Sequence, residues 1–110
     1  MPNPYISGTG FYLPPRVVTN EELATYMDTT DEWIQERTGI KERRYVEPGE
    51  GPSDLAIPAT EQALEMAGIG TQDIDFMIFA TSTPDFYAPG AGCLLQDKMG
   101  FNNIGALDIR

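Results

Sequence analysis

The chain has 110 residues, and 17 acidic against 7 basic side chains give it a formal charge of −10. This balance argues against a general nucleic-acid binder, because phosphate backbones are bound by basic faces. Hydrophobic residues make up 41% of the chain and charged residues 22%, as in a folded domain. The single cysteine, Cys93, excludes an internal disulfide, and the chain has no histidine, the commonest general base. With no membrane-length apolar stretch and no signal peptide, we expect a cytoplasmic protein.

The first predicted element is a strand over residues 5–13, which is rich in aromatic and β-branched residues and stops at two prolines. The triplet GTG at 8–10 lacks the third glycine of a dinucleotide-binding loop, and the prolines exclude a helix opening there. These glycines therefore indicate a bulge or a close approach of two backbone segments.

Two short helices are predicted next. The first begins at residues 19–20, where a Thr and an Asn precede two carboxylates. The second has Thr29 or Thr30 as its N-cap and ends near Gly39. Residues 40–46 are predicted to be extended, and a turn-rich loop follows.

The rest of the chain alternates helices and strands. A helix is predicted over 53–68, where Pro58 either delays the start by one turn or kinks the helix. A strand covered on both faces is predicted over 74–80, followed by a helix over 89–99 with a proline in its first turn and a last strand over 104–109. This order predicts an α/β fold with a parallel or mixed sheet layered between helices. Because the last strand lacks a covering helix, we expect the front part of a larger protein.

The basic residues are concentrated in one place. Four of the seven lie within eight positions, at Arg37, Lys41, Arg43 and Arg44. Trp33 is four residues before Arg37, so both side chains project from one helix face. An indole beside a guanidinium suits a flat base that carries phosphates, such as an adenine nucleotide. The alternative is a solvated face on which glutamates pair with the cations and Trp33 packs into the core.

Three other features have more than one interpretation. Cys93 lies near a helix start, as a nucleophile would, but without a histidine base a packed core thiol is the preferred interpretation. Asp108 lies inside an apolar strand, so we expect backbone or arginine partners for it and a structural role. Phe86 and Tyr87, between two prolines, either line an acyl pocket or pack at an interface.

The sequence closely resembles the amino-terminal part of β-ketoacyl-acyl carrier protein synthase III, a condensing enzyme of the thiolase superfamily. The most specific motifs are DTTDEWI at 28–34 and RTGIKER at 37–43, preceded by GTGFYLP at 8–14 and TNEEL at 19–23. Weaker motifs extend the resemblance over essentially the whole chain: SDLA at 53–56, ALEMAG at 63–68, ATSTP at 80–84, CLLQ at 93–96 and ALD at 106–108.

The resemblance implies a first portion of a thiolase-like fold, with residues 1–110 forming the amino-terminal part of its first half. It implies an acyltransferase of fatty-acid synthesis that loads an acyl group from acyl-CoA onto a cysteine. That group is then condensed with malonyl-acyl carrier protein, with loss of carbon dioxide. A cytoplasmic homodimer is expected, with acyl-CoA as a substrate and no cofactor or metal.

The resemblance also assigns site residues. Trp33 and Arg37 match positions that hold the adenine end of CoA, with Thr29 close by. Phe86 and Tyr87 match a loop that crosses the dimer interface and helps to close the partner's acyl pocket. At Ala88 many initiating synthases have a bulky aromatic residue, which suggests a roomier pocket here.

The catalytic Cys, His and Asn of the family have no counterpart in these residues, since Cys93 matches an earlier helix position. We therefore expect no activity from the 110 residues alone. The alternatives are a non-catalytic module that binds acyl-CoA or a protein partner, a related long-chain or polyketide condensing enzyme, and a proteolytic fragment.

Overall fold

A computed structural model describes residues 3–110, which form two compact units. The small unit is Leu13–Gly49, and the large unit combines residues 3–12 with Glu50–Arg110. The elements in chain order are β1 (Arg16–Thr19), α1 (Asn20–Leu23), α2 (Asp31–Thr38), β2 (Glu42–Tyr45), α3 (Pro52–Ala67), β3 (Phe76–Ala80), α4 (Ala91–Met99) and β4 (Gly105–Ile109). None of the helices in this part of the chain is long and apolar enough to span a membrane.

The small unit is a β-ladder with two helices between its strands. Strands β1 and β2 pair antiparallel, with Arg16 opposite Tyr45, which confirms the predicted extended segment at 40–46. One strand and both helices contribute to a small core of Val18, Leu23 and Ile34. This core holds α2 against the ladder.

Side-chain caps define where the two helices of the small unit begin. The Thr19 hydroxyl accepts a hydrogen bond from the Glu22 amide at the start of α1. At the start of α2 the cap is Thr30, the second of the two predicted candidates, and its hydroxyl accepts from the Trp33 amide. Helix α2 ends at Gly39 with a φ of +71°, as predicted from the preference of this conformation for glycine.

The large unit contains a parallel pair of strands packed against helices. Strands β3 and β4 run parallel, with Phe76 opposite Gly105, and α4 contacts both. The parallel pairing confirms the prediction from element order. The prediction that β3 is covered on both faces is wrong. Burial alternates along the strand, and Phe76 is 56% and Ile78 is 62% exposed. The described residues cover only one face of this pair, and the four strands form two two-stranded sheets, one antiparallel and one parallel.

The predicted strand over residues 5–13 is wrong, since this segment joins no ladder among the described residues. It lies instead along the backbone of α3. A Cβ on Gly8 would overlap the carbonyl oxygen of Ala63, and a Cβ on Gly10 would overlap that of Ala59. The glycines therefore mark a close backbone approach, as one of the two sequence interpretations proposed. Contact with a helix, rather than with a strand, explains why the composition was misleading.

Two helix starts differ from the predictions. Helix α3 begins at Pro52 and runs through Pro58, so the interpretation in which Pro58 delays the start is wrong. A proline at the first helical position favours this earlier start, because its missing amide would have no partner there. Helix α4 begins at Ala91, and Pro89 lies before its cap, in a cis peptide bond with Ala88. The predicted proline in the first turn of α4 is therefore wrong, whereas its end at Gly100 is confirmed.

Candidate functional site

An aromatic and a cationic side chain stack on the exposed face of α2. The guanidinium carbon of Arg37 lies 4.8 Å from the centre of the Trp33 ring, within the range of a cation–π contact. Trp33 is 53% exposed, and the neighbouring Ile34 provides the buried contact of the helix. The interpretation that placed Trp33 in the core is therefore wrong. An open ring face and a guanidinium are available together on one surface.

Asn20 fixes the position of this helix in the small unit. Its side-chain amide is fully buried and donates to Asp31 Oδ1 at 2.7 Å and to the Ile40 carbonyl at 2.8 Å. Its side-chain oxygen accepts from Arg43 Nη2 at 2.7 Å. One residue thus joins the first turn of α2 to the segment that enters β2. The sequence suggested only a helix cap at this position, and no local signal shows the other contacts.

Asp31 is held in its charged form at the start of α2. Hydrogen bonds from Asn20 and then from Gln35, together with the charge of Lys41, lower the pKa of Asp31 below the ordinary value of an aspartate. A carboxylate in the first turn also complements the helix dipole. This charge stabilises the helix that carries Trp33.

The four clustered basic residues have different surroundings. Arg43 donates to the Val18 carbonyl as well as to Asn20, and Arg44 donates to the Pro14 carbonyl. These two guanidinium groups therefore hold the small unit together. Within residues 3–110, Arg37 forms no ion pair, so its charge is available to a ligand.

Thr29 lies immediately before the cap of α2. Its hydroxyl oxygen is closed to solvent and has no hydrogen-bond partner among the described residues. Buried hydroxyl groups without partners are uncommon, because each one loses its bonds to water. Trp33 and Arg37 thus lie on α2, and Thr29 lies in the segment just before it, as the sequence predicts.

The second candidate site is the loop at residues 81–90, between β3 and α4. Phe86 and Tyr87 are 61% and 81% exposed, and the Arg110 guanidinium carbon lies 5.4 Å from the centre of the Tyr87 ring. Ala88 follows them in the loop. These residues belong to the large unit, whereas Thr29, Trp33 and Arg37 belong to the small unit.

The start of α4 is bound by a carboxylate from β4. Asp108 Oδ1 accepts a hydrogen bond from the Gly92 amide at 3.1 Å, which confirms the expected backbone partner. Cys93 is exposed, so its interpretation as a packed core thiol is wrong. The buried positions of α4 are Ala91, Gly92 and Leu95, and Cys93 lies outside that face of the helix.

Sequence reasoning missed the attachment of the loop to α3. Both carboxylate oxygens of Asp85 accept hydrogen bonds from Ser53. The two residues are 32 positions apart, and neither belongs to a local motif that predicts the contact. In the part of the chain that the structure describes, no three Cys, Asp or Glu side chains are grouped to hold a metal ion.

Comparisons with known proteins agree with this architecture, although no protein-family model matches the chain. The chain is 48% identical to beta-ketoacyl-[acyl-carrier-protein] synthase III of Clostridium perfringens over 109 residues, covering 99% of this chain and 33% of the relative. It is 42% identical to the crystal structure of 3-oxoacyl-[acyl-carrier-protein] synthase III from Aquifex aeolicus, with a TM-score of 0.87 over 94% of this chain and 33% of that one.

A third similar structure is the priming β-ketosynthase of a polyketide biosynthetic pathway. It is 36% identical, with a TM-score of 0.86 over 94% of this chain and 31% of that one. The chain spans about a third of the length of the curated relatives that it matches. Together these similarities confirm the resemblance to the synthase III enzymes and the incomplete thiolase-like α/β fold.

Proposed function

We propose that this chain, similar to β-ketoacyl-[acyl-carrier-protein] synthase III over 99% of its length, is part of an acyltransferase. The complete enzyme would transfer an acyl group from acyl-CoA to a cysteine and condense it with malonyl-acyl carrier protein. In this proposal acyl-CoA is a substrate, the enzyme needs no cofactor, and it acts in the cytoplasm as a homodimer. Residues 1–110 would supply the first part of the fold and have no activity alone.

The observation that carries this proposal is the stack of Trp33 and Arg37. A purine can stack on the exposed indole, while the guanidinium donates charge-assisted hydrogen bonds to phosphate oxygens. CoA carries both groups at its nucleotide end. Arg37 needs no carboxylate partner to be released before it binds, because it has none among the described residues.

Thr29 would complete this nucleotide site. A polar atom of bound CoA would satisfy the hydroxyl that lacks a partner in this structure. Because the hydroxyl is closed to solvent, binding at Thr29 would need a rotation of its side chain. Thr29→Val removes the hydroxyl at nearly constant size and tests this contribution separately from Trp33 and Arg37.

The loop carrying Phe86, Tyr87 and Ala88 would contact the acyl chain and the second subunit. Phe86 and Tyr87 are neighbours and both are more than half exposed, so the loop offers an apolar surface to an acyl chain or a second subunit. The small side chain of Ala88 would leave room beside them. We therefore assign acyl-chain selection to this loop rather than to α2.

Steady-state kinetics of the full-length protein test the nucleotide site. Trp33→Ala and Arg37→Ala should each raise the KM for acyl-CoA by about tenfold, because stacking on a base contributes about 1–3 kcal/mol. The KM for malonyl-acyl carrier protein should stay within about twofold of the original value. Equal increases in both KM values would contradict the proposal.

Arg16→Ala is the matched control for these variants. Arg16 also lies over an aromatic ring, with its guanidinium carbon 5.4 Å from the centre of the Tyr45 ring in the same unit. It is not part of α2, and its loss should leave both KM values unchanged. An effect of Arg16→Ala as large as that of Arg37→Ala would show that any exposed cation on this unit contributes equally.

A second candidate is a condensing enzyme that primes polyketide synthesis, which the 36% identity to a priming β-ketosynthase favours. Both candidates form an acyl-enzyme, so intact-mass measurement after incubation with acyl-CoA should show the mass of one acyl group. Product analysis with fatty-acid and polyketide carrier proteins then separates them. Binding without a mass increase would instead favour a non-catalytic module.

A further inference from the structure

The loop at residues 81–90 is attached to the first turn of α3 through Asp85. Asp85 Oδ1 accepts from the Ser53 hydroxyl at 2.7 Å, and Oδ2 accepts from the Ser53 amide at 3.1 Å. A Cβ on Gly51 would overlap Asp85 Oδ1, so the glycine before the helix leaves space for the carboxylate. The carboxylate of Asp85 therefore packs closely against the first turn of α3 and is held there by two hydrogen bonds.

Ser53 is also hydrogen-bonded to α4. Lys98 Nζ donates to Ser53 Oγ at 2.7 Å and to Asp54 Oδ1 at 2.6 Å. An ammonium group can only donate and an ionised carboxylate can only accept, so the hydroxyl between them must accept from Lys98 and donate to Asp85. Ser53 is fully buried, which protects this arrangement from competing water. We call Lys98, Ser53 and Asp85 the hydrogen-bond relay.

The other end of the loop is also fixed. Asp108 on β4 binds the Gly92 amide, and a Cβ on Gly90 would lie only 2.7 Å from Asp108 Oδ2. The two carboxylates thus hold the segments on either side of Phe86 and Tyr87. Between these attachments the two aromatic side chains are more than half exposed, so their own packing does little to set the loop conformation.

We propose that Lys98, Ser53 and Asp85 are positioning residues that hold the 81–90 loop in place and thereby set the acyl-chain preference of the enzyme. This inference deepens the proposed function and rests on the assignment of Phe86, Tyr87 and Ala88 to the acyl pocket. None of the three relay residues needs to contact the acyl chain. They act by fixing the backbone that carries the residues which do.

Hydrogen–deuterium exchange of the full-length protein tests the positioning step. Ser53→Ala removes the central hydroxyl, and Lys98→Met removes the first donor at a site that is 33% exposed. Each variant should increase amide exchange in peptides covering 81–90 by about fivefold, the effect of losing one hydrogen bond. Exchange in β4 should not change. Because Lys98 lies partly at the surface, Lys98→Met keeps the test available if Ser53→Ala does not fold.

Kinetics with two-carbon and eight-carbon acyl-CoA test the functional step. Both variants should change the ratio of kcat/KM for the two substrates by about fivefold, while the KM for malonyl-acyl carrier protein is unchanged. Lys98→Arg retains a donor and should leave both the exchange rate and the ratio close to those of the original protein. Arg16→Ala, which breaks a 2.7 Å ion pair with Glu22 in the small unit, is the control and should change neither.

The outcomes separate the inference from the function on which it rests. Unchanged exchange of the 81–90 loop in Ser53→Ala and Lys98→Met would overturn the positioning role, as would an equal increase in Arg16→Ala. Increased exchange with an unchanged acyl-chain ratio would leave the positioning role in place and overturn the assignment of this loop to the acyl pocket. Faster exchange and a changed ratio in Ser53→Ala and Lys98→Met, with neither effect in Lys98→Arg, would support the whole proposal.

Discussion

Arg37 lies over the ring of Trp33, one helical turn further along α2, at 4.8 Å from the ring centre. Trp33 is the only tryptophan of the chain, and it lies on the surface of the small unit and not in its core. Ile34, the residue after Trp33, is only 8% exposed and belongs to the core cluster. Neighbouring residues of α2 therefore have separate roles, one in stability and the other in the candidate site.

This division predicts that Trp33 and Arg37 can be removed with little loss of stability. Trp33→Ala and Arg37→Ala should each lower the free energy of unfolding by less than about 1 kcal/mol, the value of an exposed cation–π contact. Ile34→Ala should lower it by about 3 kcal/mol, because a large buried side chain is truncated. Urea denaturation measures all three. A loss for Trp33→Ala as large as that for Ile34→Ala would show that the indole is a structural residue.

Asn20 should be the most sensitive polar residue of the small unit. Asn20→Ala removes three hydrogen bonds, one each to Asp31, Arg43 and the Ile40 carbonyl. A hydrogen bond contributes about 1 kcal/mol, so the loss of three should lower the unfolding free energy by about 3 kcal/mol. The control is Gln35→Ala, which removes only one 2.6 Å hydrogen bond to Asp31 and should cost about 1 kcal/mol. Equal losses would contradict a central role for Asn20.

The contrast between these residues shows what the sequence could predict. Helix caps depend on residues that are close in the chain, so the sequence predicted both ends of α2, at Thr30 and Gly39. The Trp33 and Arg37 pair followed from helical spacing in the same way. Asn20 was recognised only as a candidate cap, because its partners lie 11 to 23 positions away and no local pattern records them.

The errors have a common physical origin. The composition of residues 5–13 favours a strand, but the partner of an extended segment is determined by the tertiary fold. Similarly, the apolar run of β3 predicted burial on both faces, whereas the described residues cover only one. Exposure of Cys93 depends on which face of α4 packs against its neighbours. Such properties arise from contacts between distant segments and are not encoded in local composition.

The protein should lose stability in acid, because folding lowers the pKa of two aspartates. Hydrogen bonds from Asn20 and Gln35 lower the pKa of Asp31, and the hydrogen bond from Lys98, followed by that from the Gly51 amide, lowers the pKa of Asp54. The unfolded chain therefore binds protons first as the pH falls. The stabilisation is complete well above the ordinary aspartate pKa of about 4 and is lost as the pH falls through the folded-state values.

Asp31→Asn and Asp54→Asn test this pH dependence. Each removes one titrating group, so the unfolding free energy should depend less on pH below about pH 5 than in the original protein. Urea denaturation at a series of pH values measures the slope. Asp28→Asn is the control, because Asp28 takes part in neither set of hydrogen bonds, and it should leave the slope unchanged. Parallel slopes in all four proteins would show that neither Asp31 nor Asp54 is responsible.

Gly10 should tolerate no larger side chain, because the backbone of residues 3–12 passes directly over α3. A Cβ at this position would overlap the Ala59 carbonyl oxygen and lie 2.9 Å from the Ala63 amide nitrogen. Both are backbone atoms of a helix and cannot move aside singly, so Gly10→Ala should cost about 3 kcal/mol or more. Ser7→Ala, at an exposed position of the same segment, should change the unfolding free energy by less than about 0.5 kcal/mol. Thermal and urea denaturation of the two variants measure the difference, and a fully stable Gly10→Ala protein would show that this segment does not pack against α3.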